Sequence, residues 1–108
     1  MAADYQDIRQ FDRLIHEPSR LVIMAVLSAC ESADFTYMLN ATGLSKGNLS
    51  AHMRKLADAG YLTIDKSFKR NYPHTTCALT RSGRKAFEAY RKLYKEVGKR
   101  IGGEEDIN

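Results

Sequence analysis

The side chains best equipped for metal or covalent chemistry are His16, His52, His74, Cys30, Cys77 and Glu31. Metal ligands on one turn or helix face recur at short fixed steps, and these six match no CxxC, HxxxH or comparable pair. Ser45, Ser50 and Ser82 sit in no nucleophile elbow and have no His and Asp partners at a recognisable spacing. Neither common glycine-rich phosphate loop is present. The expectation is a protein without catalysis, cofactor or metal. What remains is ionic and hydrogen-bonding chemistry, and its residues are unevenly placed. Residues 1–35 carry a net charge of −3, residues 36–100 one of +10, and the end of the chain after Arg100 another −3. A basic body between acidic ends is expected where one face meets a polyanion.

Within the basic body, one short segment concentrates polar and cationic groups beside small residues. From Ser45 it reads Ser-Lys-Gly-Asn-Leu-Ser-Ala-His-Met-Arg-Lys-Leu. Leu49, Met53 and Leu56 recur at helical steps and mark a buried face. Gly47, Ser50, Ala51, Arg54 and Lys55 fall broadly opposite, with Lys46 and Asn48 at the N-terminal end. Small residues let such a helix approach base edges, Lys46 and Asn48 suit purine edges, and Arg54 and Lys55 suit phosphates. The amides of the helix N-terminus add a preference for anions. His52 lies at the border of the two faces, where packing or a phosphate contact is expected.

The elements that must position this helix follow from the periodicity. Ile8, Phe11, Leu14 and Ile15 predict an amphipathic helix over about 5–15, and Pro18 opens an almost wholly apolar one over 19–30. After a polar break at 31–34, Thr36 is expected to cap a short helix ending near Ala41. Gly43 supplies the left-handed turn, Ser45 caps the helix over 46–59, and Gly60 ends it. From Tyr61 the period falls to two. Leu62 and Ile64 on one side and Thr75–Leu79 on the other predict a β-hairpin, with Asn71 and Pro73 in its turn and a basic tip at Lys69 and Arg70. Lys66, Lys69 and Arg70 are equally suited to shielding a sheet edge. Thr80 caps a last, long helix from Arg81 to about Arg100. The fold class is therefore mainly α (α+β): a winged helix-turn-helix with a two-stranded β-hairpin wing and a long C-terminal helix.

The segment from Gly43 to Leu62, together with Leu79-Thr80-Arg81-Ser82-Gly83-Arg84-Lys85-Ala86-Phe87, resembles the compact single-domain branch of prokaryotic MarR/ArsR-like winged-helix regulators. The likeness covers roughly residues 8–97. It implies a dimeric transcription factor with the helix from Lys46 in the major groove and the hairpin tip at the flanking backbone or minor groove. Long terminal helical extensions and the paired-cysteine and His/acid ligand motifs of metal-sensing relatives are absent from the sequence. A small-molecule effector is thus permitted by the resemblance but not indicated.

With 108 residues, 44% apolar and 28% charged, the chain is expected to form one core. Residues 1–101 are read as the DNA-binding domain with its terminal dimerisation helices, and 102–108 as a flexible acidic tail. A homodimer follows from the apolar stripe Tyr90, Leu93, Val97 and Ile101 with Tyr94 beside it, facing Ile8, Phe11 and Ile15 of the first helix. The partner is expected to be double-stranded DNA, a palindromic operator. No apolar run is long enough for a bilayer, and the acidic N-terminus is unlike a secretory signal, so a cytoplasmic location with two unpaired cysteines is expected. Two rival readings stay open: a winged-helix protein–protein interaction module, and a sequence-neutral DNA-binding accessory protein.

Overall fold

The computed structural model describes residues 5–102. Its elements run α1 (Pro18–Ser28), β1 (Ala33–Asp34), α2 (Phe35–Thr42), α3 (Lys46–Asp58), β2 (Leu62–Lys69), β3 (Tyr72–Leu79) and α4 (Arg81–Gly102), preceded by a 3-10 turn over Tyr5–Gln10. The winged helix-turn-helix architecture is as expected from the sequence. Each boundary has a local cause, and several differ from the expectation.

The first amphipathic helix does not form. The chain makes a 3-10 turn to Gln10, and Asp12 then takes over the backbone: its carboxylate accepts from the Leu14 and Ile15 amides at 2.9 and 3.4 Å. A side chain that satisfies nearby amides offers an alternative to helix, and here it wins. The spacing of Ile8, Phe11 and Ile15 is met by a turn rather than a helix. The helix α1 begins where Pro18 suggests, with Glu17 as N-cap accepting from the Arg20 amide at 2.7 Å, and it stops at Ser28 rather than Cys30. Asp34, not Thr36, caps α2, its carboxylate accepting from the Tyr37 amide at 2.7 Å. A carboxylate at this position also meets the positive end of the helix dipole.

The polar break contains a strand the sequence did not signal. Ala33 and Asp34 pair antiparallel with Cys77 and Thr76, so the sheet has three strands in the order β1-β3-β2 instead of two. Two residues are too few to show a period. The hairpin turn is Arg70-Asn71, both left-handed at φ 53° and 68°, which is the two-residue geometry whose twist matches that of the strands. Pro73 lies outside the turn, in β3 opposite Phe68. This is beyond the reach of β1, so the missing amide costs no ladder bond on that side.

The core is continuous. Ile15, Ile23, Met24, Leu27, Met38, Leu49 and Leu56 are fully buried, and Phe11, Leu62, Cys77, Phe87, Tyr90 and Val97 join them. Cys30 and Cys77 are free thiols, and burial pushes the Cys77 thiol up to about 11. Cys77 thus behaves as a small hydrophobe.

The junction between α3, the hairpin and α4 is the tightest place in the molecule. Gly60 takes φ 83° and the Tyr61 amide donates to the Leu56 carbonyl at 2.9 Å, ending α3 in a left-handed cap. The Thr80 amide then donates to the Tyr61 carbonyl at 3.0 Å and its hydroxyl to the Gly60 carbonyl at 2.6 Å. The same hydroxyl accepts from the Gly83 amide at 2.9 Å, which makes Thr80 the cap of α4 as expected. Gly83 has no side chain because a Cβ there would be driven into the Tyr61 carbonyl group. The Tyr61 hydroxyl reaches across to Asp12 at 2.5 Å, and chiefly through that bond its phenol is pushed up to about 12.

Gly83→Ala is therefore expected to destabilise the fold by about 3 kcal/mol, since backbone rather than a flexible side chain must move. Urea unfolding should show a lower midpoint at unchanged slope. A midpoint equal to that of the wild type would mean that α4 can shift freely over Tyr61.

Candidate nucleic-acid interface

The helix-turn-helix is built from α2, a turn and α3. Gly43 ends α2 at φ 73°, its amide donating to the Leu39 carbonyl at 3.0 Å, and two residues later Ser45 opens α3. The Ser45 hydroxyl accepts from the Asn48 amide at 3.2 Å, so one of the free amides at the helix start is satisfied. Leu49, Met53 and Leu56 anchor α3 in the core. Lys46, Gly47, Asn48, Ser50, Ala51, Arg54 and Lys55 are all exposed, as is Ser45. The structure thus brings eight of the candidate residues onto one outward surface without an acid until Asp58, on the last turn.

His52 is held elsewhere. It is half-buried, and its Nδ1 lies 3.1 Å from the Arg20 guanidinium. A guanidinium has no acceptor, so Nδ1 accepts and the proton sits on Nε2 in this arrangement. Arg20 also donates through Nε to the Leu14 carbonyl at 2.5 Å, and the Glu17 carboxylate lies 3.9 Å from both Arg20 and His52. Of the two roles expected for His52, the geometry gives it packing: it clamps α3 to the start of α1.

The hairpin contributes differently from the expectation too. Side chains alternate across a strand, so Ile64, which packs against the core, fixes the face of its neighbours. Lys66 and Phe68 share the side of Ile64, opposite Thr75 and Pro73, whereas Lys69 and Tyr72 lie on the other side. A groove of about 260 Å³ runs between α3 and this inner side, lined by Ser50, Arg54, Lys66 and Thr75 over a floor of Phe35, Met53 and Ile64. Lys66 is thus the wing cation that continues the α3 surface, while Lys69 and Arg70 stand at the tip. Phe68 and Tyr72 are about three-quarters exposed there, at 76% and 74%. The sequence already includes Lys66 in a basic wing over residues 66–73; what the register adds is its face, beside Ser50 and Arg54 rather than at the tip.

The proposed dimer residues divide in two. Ile15, Phe11, Tyr90 and Val97 are buried within the single chain, so they are not a free surface. The reason is the turn built on Asp12, which folds Phe11 back onto α4 and Ile15 into the core: Phe11 lies against Tyr90 and stacks on His16, whose ring meets the Tyr90 hydroxyl at 2.8 Å. Ile8, Tyr94 and Ile101 remain exposed and Leu93 half-exposed. The helix α4 runs through Gly102, the first residue of the expected acidic tail; the rest of that tail lies outside the described residues. Among the described residues no helix is long and apolar enough to cross a membrane.

The geometry has clear relatives. A family model described as a winged helix DNA-binding domain matches residues 19–97. An uncharacterized protein of Methanocaldococcus jannaschii is 29% identical over 89 residues, which is 82% of this chain and 97% of that protein. Among solved structures, a transcriptional regulator homologue from Pyrococcus horikoshii superposes with a TM-score of 0.74 at 24% identity, over 91% of this chain and 96% of its own. A regulator of the MarR family from Enterococcus faecalis gives 0.74 at 19% identity, over 98% and 96%. At these identities the structural matches speak for the fold, whereas the family model spans most of the chain and includes the whole of α3 and the hairpin. The chain belongs to the winged helix DNA-binding domain family.

Proposed function

We propose that the protein is a transcriptional regulator that binds duplex DNA in the cytoplasm as a two-fold homodimer. The observation that carries this reading is the outward surface of α3: seven exposed residues from Lys46 to Lys55, no acid among them, continuing across the groove to Lys66. A helix of this width enters a major groove, and small residues at Gly47, Ser50 and Ala51 allow it to sit deep. Asn48 reads a base edge, Lys46 and the amides at the helix start hold a phosphate, and Arg54 and Lys55 neutralise the backbone. Lys69 and Arg70 at the wing tip follow the flanking backbone or minor groove. A protein–protein module needs an apolar patch at the centre of its interface, and the outer side of α3 offers none.

The dimer reading rests on a second place. Ile8, Tyr94 and Ile101 border an apolar groove of about 390 Å³ between the 3-10 turn and the far half of α4, floored by Phe11 and Val97. Pairing two chains there covers the exposed groups and sets two α3 helices on half-sites roughly 34–36 Å apart.

Fragments selected from random duplex DNA should yield a palindromic consensus. Asn48→Ala should relax preference at one position by roughly 1–3 kcal/mol, and Arg54→Ala with Lys55→Ala should weaken all sequences alike and lower the salt slope by about one unit per cation removed. Unchanged DNA affinity in the double variant would remove α3 from the interface. Gly47 gives a sharper test, because a Cβ there would meet nothing in the protein. Gly47→Ala is expected to stabilise the fold by about 0.5–1 kcal/mol while lowering DNA affinity about tenfold, or roughly 1.4 kcal/mol. Stability and affinity rising together would mean that the helix does not approach the bases at Gly47. For the dimer, Tyr94→Glu with Ile101→Glu should sediment as a monomer at micromolar concentration with folding intact. A wild-type monomer holding a single half-site at full affinity would exclude the dimer.

A further inference from the structure

Most of the chain's positive charge is not on the helix-turn-helix. Of the Lys and Arg residues between 36 and 100, eight lie on α4 and six on α3 and the hairpin together. Arg84 is occupied, donating to the Ser28 and Cys30 carbonyls at 3.5 and 2.8 Å, and Arg100 is half-buried. The other six, Arg81, Lys85, Arg91, Lys92, Lys95 and Lys99, are exposed. At 3.6 residues per turn they fall within an arc of about 120° and run about 27 Å along the helix. Gly83, Phe87, Tyr90 and Val97, the buried residues of α4, lie on the opposite side. Glu88 is the one acid inside the arc and Glu96 flanks it, yet among the described residues the four lysines form no ion pair.

We propose that this outward face of α4 is a second, sequence-neutral binding surface for the backbone of duplex DNA, separate from α3. Three features select that partner. The charge is spread over a length, and the small pocket beside it holds Glu88 between Arg84 and Arg91, which suits a repeating polyanion outside and not a small anion within. The arc carries no aromatic or branched apolar side chain, so it lacks the anchor that a protein partner would bury. The apolar side of α4 is held by the core at Phe87, Tyr90 and Val97, and its exposed groups, Tyr94 and Ile101, belong to the groove assigned to the dimer, so that side is not offered to a lipid interface as in amphipathic membrane helices. The outward faces of α3 and α4 each lie opposite the residues that anchor their helix in the shared core, and α1 packs against both helices. A straight duplex seated on α3 leaves the α4 face open to a second duplex. The protein thereby bridges two DNA segments; the α4 surface goes beyond the reading of α3 and stands without it, while the bridge rests on both.

The test uses the full chain, two duplexes carrying a donor and an acceptor fluorophore, and two variants. Lys85→Gln, Lys92→Gln, Lys95→Gln and Lys99→Gln are combined in one, Arg54→Ala and Lys55→Ala in the other. Wild type should bring the duplexes together at low salt, with energy transfer lost steeply as salt rises. The α4 variant should bind one duplex within about twofold of wild-type affinity and lose at least nine-tenths of the transfer. The α3 variant should keep a salt-sensitive, sequence-neutral affinity. Transfer undiminished in the α4 variant would overturn the proposal, because two α3 helices of a dimer would then be the bridge. So would an α3 variant that binds no duplex at low salt. Anionic vesicles form a parallel arm: lysine-dependent vesicle binding without DNA bridging would overturn it in favour of a membrane. Binding lost only in the α4 variant would instead sink the α3 reading and leave this one standing.

Discussion

The rest of the structure depends on how closely α4 passes over the carbonyl of Tyr61. That approach is possible only because residue 83 is a glycine, and Thr80 holds it by bonding to Gly60, Tyr61 and Gly83 at once. Three chain directions meet at this point: the end of α3, the entry to β2 and the start of α4. The hydroxyl of Tyr61 then ties the junction to Asp12, and Asp12 shapes the turn that lays Phe11 and Ile15 onto the core. One residue thus couples the end of the recognition helix to the chain's opening segment. The raised phenol reports the cost of ionising it beside a carboxylate, and its proton donation is secure at any ordinary pH.

A second tie acts at the other side of α3. Arg20, His52 and Glu17 form a partly buried cluster in which the arginine donates to two acceptors, the Leu14 carbonyl and the His52 Nδ1, with the Glu17 carboxylate nearby. Exposed ion pairs add little to stability, but a guanidinium held by a carbonyl and an imidazole is fixed in direction. The helix α3 is therefore steadied near its middle by α1 and at its end by the Tyr61 junction. Its outward residues inherit that rigidity without taking part in it.

Much of this was legible in the sequence where the signal is local and chemical. Ser45, Gly43, Gly60 and Thr80 each do at a helix end what their residue types suggest, because a cap needs only a few neighbours to operate. The same holds for Leu49, Met53 and Leu56, whose spacing states one face. Features set by distant partners were hidden. Ala33 and Asp34 become a strand only because β3 is there to pair with, and Asp12 breaks a helical pattern partly because Tyr61 waits across the fold. The candidate site shows the same division: the α3 surface, Lys66 and His52 were all legible in the sequence, but the face of Lys66 beside Arg54 needed the register and the partner of His52 needed Arg20.

The empty space around Gly47 has a consequence for descent with modification. From Lys46 to Lys55 the residues of the outer side of α3 are exposed, and a Cβ added at Gly47 would meet no atom of its own protein within 4 Å. Substitutions there are screened by the ligand alone, while those at Leu49, Met53 and Leu56 are screened by the core. Lineages of this chain can therefore drift toward new recognition sequences in single steps, each viable as a folded protein, without first acquiring compensating changes elsewhere.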